Sequence, residues 1–216
     1  LHLLQNILYN ELCIILQKEK EEQEMKYSGE KLQLRAIETV ASLMIAAAKT
    51  APKGCGRDSM ESLIIDGTDK DALAAEMRKI GEETRQPFYI RDAENVDLSA
   101  CVVLFGAQET YRGLPYCNYC GAGDCFGANK SGIHCAFAVG DLGIAMGSAV
   151  SVAATHRIDN RIMFSAGKAA LSLGLFSEKV FLGYGIPLSV TEKSPYFDRP
   201  TVASASSAAA PGCNAK

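Results

Sequence analysis

Apolar residues recur every three to four positions along residues 30–50, "EKLQLRAIETVASLMIAAAKT", the spacing of one face of a helix. Ala51-Pro52 and the glycines of "PKGCGRD" end that helix. A short strand is expected at "SLIIDG", closed by Asp66-Gly67, and a helix with an acidic first turn at "DKDALAAEMRKIGEE". The unbroken apolar run "ACVVLFGA" has the length of a strand and predicts one buried on both faces. A cysteine-rich segment follows it. Next comes "HCAFAVGDLGIAMGSAVSVAATH", a long apolar helix that carries Gly140, Gly143 and Gly147. A helix over "NRIMFSAGKAALSLGL" and a strand at "KVFLGYGIP" complete the pattern. These elements predict a single α+β domain, a mixed or antiparallel sheet packed with helices around the long glycine-bearing one.

That helix has the length and hydropathy of a membrane span, but Asp141 interrupts it and no second span accompanies it. The expectation is a buried central helix, packed closely against its neighbours through its glycines, and no membrane. The domain is expected over residues 25–199. Before it, residues 1–24 space Leu1, Leu4, Leu8, Leu12 and Ile15 as an amphipathic helix, ending in "KEKEEQE". They are either a docking or oligomerisation helix or upstream sequence translated ahead of Met25. Residues 200–216, "TVASASSAAAPGCNAK" for the most part, lack large apolar side chains and predict a disordered tail.

Composition changes the picture little. The chain has 216 residues, 48% of them hydrophobic and 22% charged, which is globular. A net charge of -3, with no basic stripe, gives no footprint for nucleic acid. The cysteines change it more. Of the 8 in the chain, Cys117, Cys120, Cys125 and Cys135 fall in one short segment, whereas a disulfide framework spreads its cysteines along a small secreted domain. With no signal-peptide pattern at the start, a reducing, cytoplasmic setting is expected.

The spacing Cys117-x2-Cys120-x4-Cys125-x9-Cys135 suits metal binding, because two thiolates separated by two residues can turn toward one centre. Gly121, Gly123, Gly127 and Gly132 let the loop curl and bring backbone N–H groups near an anionic ligand. Cys135 falls near the start of the long helix, where the positive end of the dipole favours such a centre. An iron–sulfur cluster is the leading reading, with a [4Fe–4S] cubane preferred over [2Fe–2S]. A zinc site is the alternative, although the second half of a zinc motif is missing and His134 points away from its neighbour Cys135. Free or redox-active thiols are the third reading.

Outside the cluster, Cys101 reads as a small core residue. Cys55, between glycines and beside Lys53 and Arg57, is a candidate reactive thiol or substitute ligand, and His134 or His156 a candidate base for it. His156 reads equally as a helix-ending residue. Asp141, alone in an apolar helix, either bonds a neighbouring loop or touches a cofactor or the cluster loop.

Three segments, "AAAKTAPKGCGRDSMESLIIDG", "YCNYCGAGDCFGANKSGIHCAFAVGDLGIAMGSAV" and "LGYGIPLSVTEKSPYFDR", together resemble a family of uncharacterised bacterial and archaeal proteins containing a ferredoxin domain. The likeness runs over about residues 30–199 and implies iron–sulfur binding by Cys117, Cys120, Cys125 and Cys135. It implies no reaction. A fainter resemblance is to the FMN-dependent nitroreductases, which share the "AAxxAP" loop, a small-residue central helix and a strand like "LGYGIP". That resemblance implies an FMN near Lys53, Gly54 and Arg57, with Lys168 or Arg199 at its phosphate, and a homodimer. It lacks the Arg-Ser-Arg opening usual before the first helix. The functional expectation is an iron–sulfur protein in electron transfer or reduction, with a non-catalytic metal-stapled module as the alternative. The sequence names neither a substrate nor a redox partner.

Overall fold

The computed structural model describes residues 26–197. The expected extension over residues 1–24 and tail over 200–216, with Cys13, Cys213 and Arg199, lie outside the described residues.

Helix α1 (Gly29–Thr50) starts where the Oγ of Ser28 accepts from the N–H of Lys31, a cap that satisfies one of the free first-turn donors. A 3₁₀ turn (Gly54–Gly56) leads to strand β1 (Met60–Ile65) and helix α2 (Gly67–Thr84). Helix α3 (Pro87–Asp97) follows, with proline at its start, where the missing N–H costs nothing. It was not among the expected elements, although Tyr89, Ala93 and Val96 have helical spacing and are buried. Strand β2 (Cys101–Gln108) precedes the cysteine loop, which contains the short helix α4 (Cys125–Ser131). Helix α5 (Ala136–Thr155), the short strand β3 (Asp159–Asn160), helix α6 (Phe164–Ser172) and strand β4 (Val180–Ser189) complete the fold.

The four strands lie in the order β1-β2-β4-β3, and every neighbouring pair is antiparallel. β2 is central and buried along nearly its whole length. Its alternating side chains divide between two cores. Cys101, Val103, Phe105 and Ala107 face α1 and α5, with Ile186 and Leu188 of β4. Val102 and Leu104 face the opposite layer of α2, α3 and α6. The result is the expected α+β domain, with its sheet antiparallel and sandwiched between two helical layers.

The long helix departs from expectation in one respect. Its buried side is made of Ala138, Leu142, Ala145, Met146, Ala149 and Ala153, with Asp141. Gly140, Gly143 and Gly147 point outward, where an added Cβ would meet nothing. They sit at i, i+3 and i+7, one helical stripe, but the solvent-facing one, beside exposed Val139 and Ile144. α5 alone has the length and apolarity to cross a membrane among the described residues. Here it packs on α1 and the sheet as a core helix, and the Oγ of Ser148 donates to the carbonyl of Ala47 at 3.0 Å.

Close packing through glycine occurs instead between α6 and β4. A Cβ on Gly167 would lie 1.9 Å from the carbonyl oxygen of Gly183, and one on Gly185 would lie 2.6 Å from the Cβ of Ala166. Met163 and Gly185 exchange two backbone hydrogen bonds that pin the start of α6 to the strand. Tyr184, between the two glycines, packs on the other core.

Gly167→Ala is expected to destabilise the domain by about 3 kcal/mol or more in urea unfolding, since backbone must move to admit the methyl group. A second expectation concerns Cys101. Burial pushes its thiol up to about 12 from an ordinary value near 9, with the charges of Asp66 and Glu38 adding to the shift. The folded pKa is raised, so the contribution to stability is complete below pH 9 and is lost as pH rises toward 12. Across that window the wild type should lose roughly 1.4 kcal/mol per pH unit more than Cys101→Ala, whose own cost at neutral pH is that of a small cavity.

Candidate metal centre

The cysteine segment leaves β2 and returns at α5, and its two ends are clamped together. The Glu109 carboxylate binds His134 Nδ1 and accepts from the backbone N–H of Cys135 at 3.4 Å. The Tyr111 hydroxyl donates to the carbonyl of Ile133 at 3.1 Å. His134 also lies flat against Phe181, with ring centroids 4.0 Å apart.

Between the clamps the backbone turns tightly. Tyr116 and Asn118 have left-handed backbones, as do Gly121 and Gly123, positions that glycine occupies without steric cost. The carbonyl of Asn118 accepts from Gly121 N–H at 3.0 Å, and its side-chain Oδ1 accepts from Gly123 N–H at 2.7 Å. Asp124 caps α4 by accepting from Gly127 N–H at 2.7 Å. Cys125 is the first residue of α4, and Cys135 is the N-cap of α5.

All four cysteines, with Tyr111, Arg112 and Phe137, line one cavity of about 340 Å³. Cys135 is buried and the other three are half-buried; none of the six described cysteines is in a disulfide. Among the described residues no three His, Cys, Asp or Glu side chains converge on a single ion. Cys135 stands at the N-terminal end of the 20-residue α5, where the aligned peptide dipoles favour an anionic ligand. The Tyr111 phenol is pushed up by desolvation first, then by Glu109 and by Cys135, Cys120 and Cys125, so it stays protonated as a donor.

A buried network backs this cavity. Asp141 accepts from the backbone N–H of Gly54 at 2.9 and 3.1 Å and from Arg112 Nη2 at 2.6 Å. Arg112 also donates to Ser59 and Thr110. Both readings of Asp141 thus hold together: it bonds a neighbouring loop and, through Arg112, the cysteine loop. Sequence reasoning missed Glu109, Tyr111 and Arg112. The one available signal was an arginine just beyond a buried strand in a chain with a lone acid on its apolar helix.

A second cavity, of about 390 Å³, adjoins the first and shares Ala136 and Phe137 with it. Pro52, Lys53, Gly54, Tyr119 and Ile144 also line it. Tyr119 and Phe137 stack with centroids 5.7 Å apart. Lys53 and Gly54 are therefore together, but the Lys53 ammonium is bound to the carbonyls of Ala48, Lys49 and Ala51, closing the end of α1. Arg57 is exposed and lines neither cavity, and Lys168 is exposed on α6, in the layer across the sheet. Among the described residues the expected FMN-binding positions are not gathered at one place.

Cys55 is exposed, has a left-handed backbone and lines neither cavity. His156 ends α5, roughly 22 Å along the helix from Asp141, which holds the Gly54 loop. His134 is engaged by Glu109. The structure does not assemble the expected thiol–imidazole pair.

Residues 131–199 match a family described as "Uncharacterized protein containing a ferredoxin domain (DUF2148)". That segment holds Cys135 but begins after the other three cysteines. An uncharacterised protein of Archaeoglobus fulgidus is 41% identical over 171 residues, 76% of this chain and 91% of that protein. Among solved structures, an FMN-dependent nitroreductase of Mycobacterium smegmatis in complex with NADPH is similar at 14% identity and a TM-score of 0.49, over 72% of this chain and 78% of that one. A nitroreductase of Desulfovibrio desulfuricans described as putative, solved with FMN, gives 14% and 0.49 over 84% of each chain. With an archaeal relative this close over most of both lengths, the chain belongs to the family of uncharacterised proteins that contain a ferredoxin domain.

Proposed function

We propose that Cys117, Cys120, Cys125 and Cys135 hold an iron–sulfur cluster, a [4Fe–4S] cubane by preference, and that the protein is a cytoplasmic electron-transfer or reductase component. One observation carries this reading: all four thiols line a single cavity, and their spacing lacks the second half of a zinc motif. The ferredoxin-domain family supports the same chemistry. A bound cluster would supply reversible one-electron exchange.

The chain's own residues hold and shield the site. Glu109 fixes Cys135 through its N–H, and Tyr111 ties the loop to the approach of α5. Exposed Tyr116, Tyr119 and Phe126 surround the thiols with apolar surface suited to a redox partner. The six unpaired described cysteines suit a reducing compartment.

FMN is a second reading, favoured by the apolar cavity that shares Phe137 with the cysteine cavity. Its phosphate would need a cation from beyond those gathered here. A homodimer would supply one, and would also cover the outward stripe of Val139, Gly140, Gly143, Ile144 and Gly147 on α5. The alternative to redox function is a structural staple.

Anaerobically purified protein is expected to absorb broadly in the visible, to bleach with dithionite and to recover on oxidation. Colourless protein carrying zinc would replace the redox reading with the staple. Cys120→Ser should weaken iron binding by more than the roughly 10–100-fold that loss of an outer-shell partner costs, read as iron lost to a chelator. For the dimer, Ile144→Glu is expected to convert the sedimenting species to monomer; an unchanged species, or a monomeric wild type, removes that part of the proposal.

A further inference from the structure

Arg112 stands between the two cavities. Its side chain is 1% exposed, and it lines the cysteine cavity. Nη1 donates to Thr110 Oγ1 at 3.0 Å, and Nη2 to Ser59 Oγ at 3.2 Å and to Asp141 Oδ2 at 2.6 Å. Its Nε is buried and has no hydrogen-bond partner. Asp141 lines the apolar cavity and not the cysteine cavity. The pair is therefore a fixed dipole, with its cation at the cysteine wall and its anion at the apolar wall. Two backbone bonds from Gly54 N–H keep the anion from swinging.

We propose that Arg112, positioned by Asp141, sets the reduction potential of the group held by the four cysteines; this rests on the iron–sulfur reading above. Reduction brings in one electron from a partner and one negative charge, and no bond in the chain forms or breaks. A buried cation at the cavity wall stabilises the more negative state, and does so strongly because the surroundings screen poorly. Asp141 opposes the effect by partly neutralising Arg112. Removing either partner must therefore move the potential in opposite directions, which a purely structural role would not do.

The test is an anaerobic redox titration of the full chain, followed by visible absorption and electron paramagnetic resonance, with iron content measured in parallel. Arg112→Gln is expected to lower the reduced-to-oxidised ratio at a fixed potential at least about tenfold, which is about 59 mV for one electron. Asp141→Asn is expected to raise it. Arg112→Gln with Asp141→Asn, compared with Asp141→Asn alone, removes the cation without leaving a buried carboxylate unpaired, and serves if the first variant does not fold. That comparison should again show a fall. Unchanged potentials, shifts of the same sign, or loss of iron from both Asp141→Asn and the double variant would overturn the proposal. An iron-free wild type would overturn the iron–sulfur reading itself, and this inference with it. A loaded wild type whose potential ignores Arg112 defeats only the inference.

Discussion

A strand with almost no exposed side chain must be covered on both faces, and that constraint organises this molecule. β2 supplies alternate residues to two cores, so helices have to close on the sheet from either side. Its neighbours β1 and β4 satisfy its backbone groups on both edges. Only the end of the strand is free of these demands. The cysteine loop departs there and comes back to the start of α5, so the site lies at the rim of one core with a buried floor and an open mouth.

The floor is costly by itself. Burying the Arg112–Asp141 pair removes two charges from water, and a buried pair of this kind contributes little net stability. Losing one member costs about 3–5 kcal/mol, because the other is left uncompensated. What the pair provides is placement. It joins the loop after α1, the cysteine loop and the second turn of α5, three segments far apart in the chain. The Lys53 ammonium does similar work at shorter range, meeting three carbonyls at the end of α1.

Local signals were legible in the sequence where local physics decides. The apolar run of β2, the helical spacing of α1 and the long apolar stretch of α5 each reflect neighbours within a few positions, and each matches the structure. α3 was legible too, in Pro87 and in the spacing of Tyr89, Ala93 and Val96, but its polar residues masked it. Which way a helix faces was not legible. α5 is apolar on all sides, so its pattern carries no preferred face, and its glycines proved to be outside. Nor could the sequence show that Lys53 would bond its own helix end, or that Glu109 and Arg112 would reach residues more than twenty positions away. Such pairings depend on the assembled topology.

The seat of α6 on β4 makes the two helical layers mechanically unequal. With the backbone of Gly167 resting on that of Gly183, helix and strand cannot slip by one residue, since any other side chain would be driven into a carbonyl. Register on that side is all or nothing. Opposite, α5 meets its core through Leu142, Ala145, Met146 and Ala149 and turns bare glycines to solvent. A methyl group added on the α6 side must therefore displace backbone, whereas one added on the outward stripe of α5 displaces nothing.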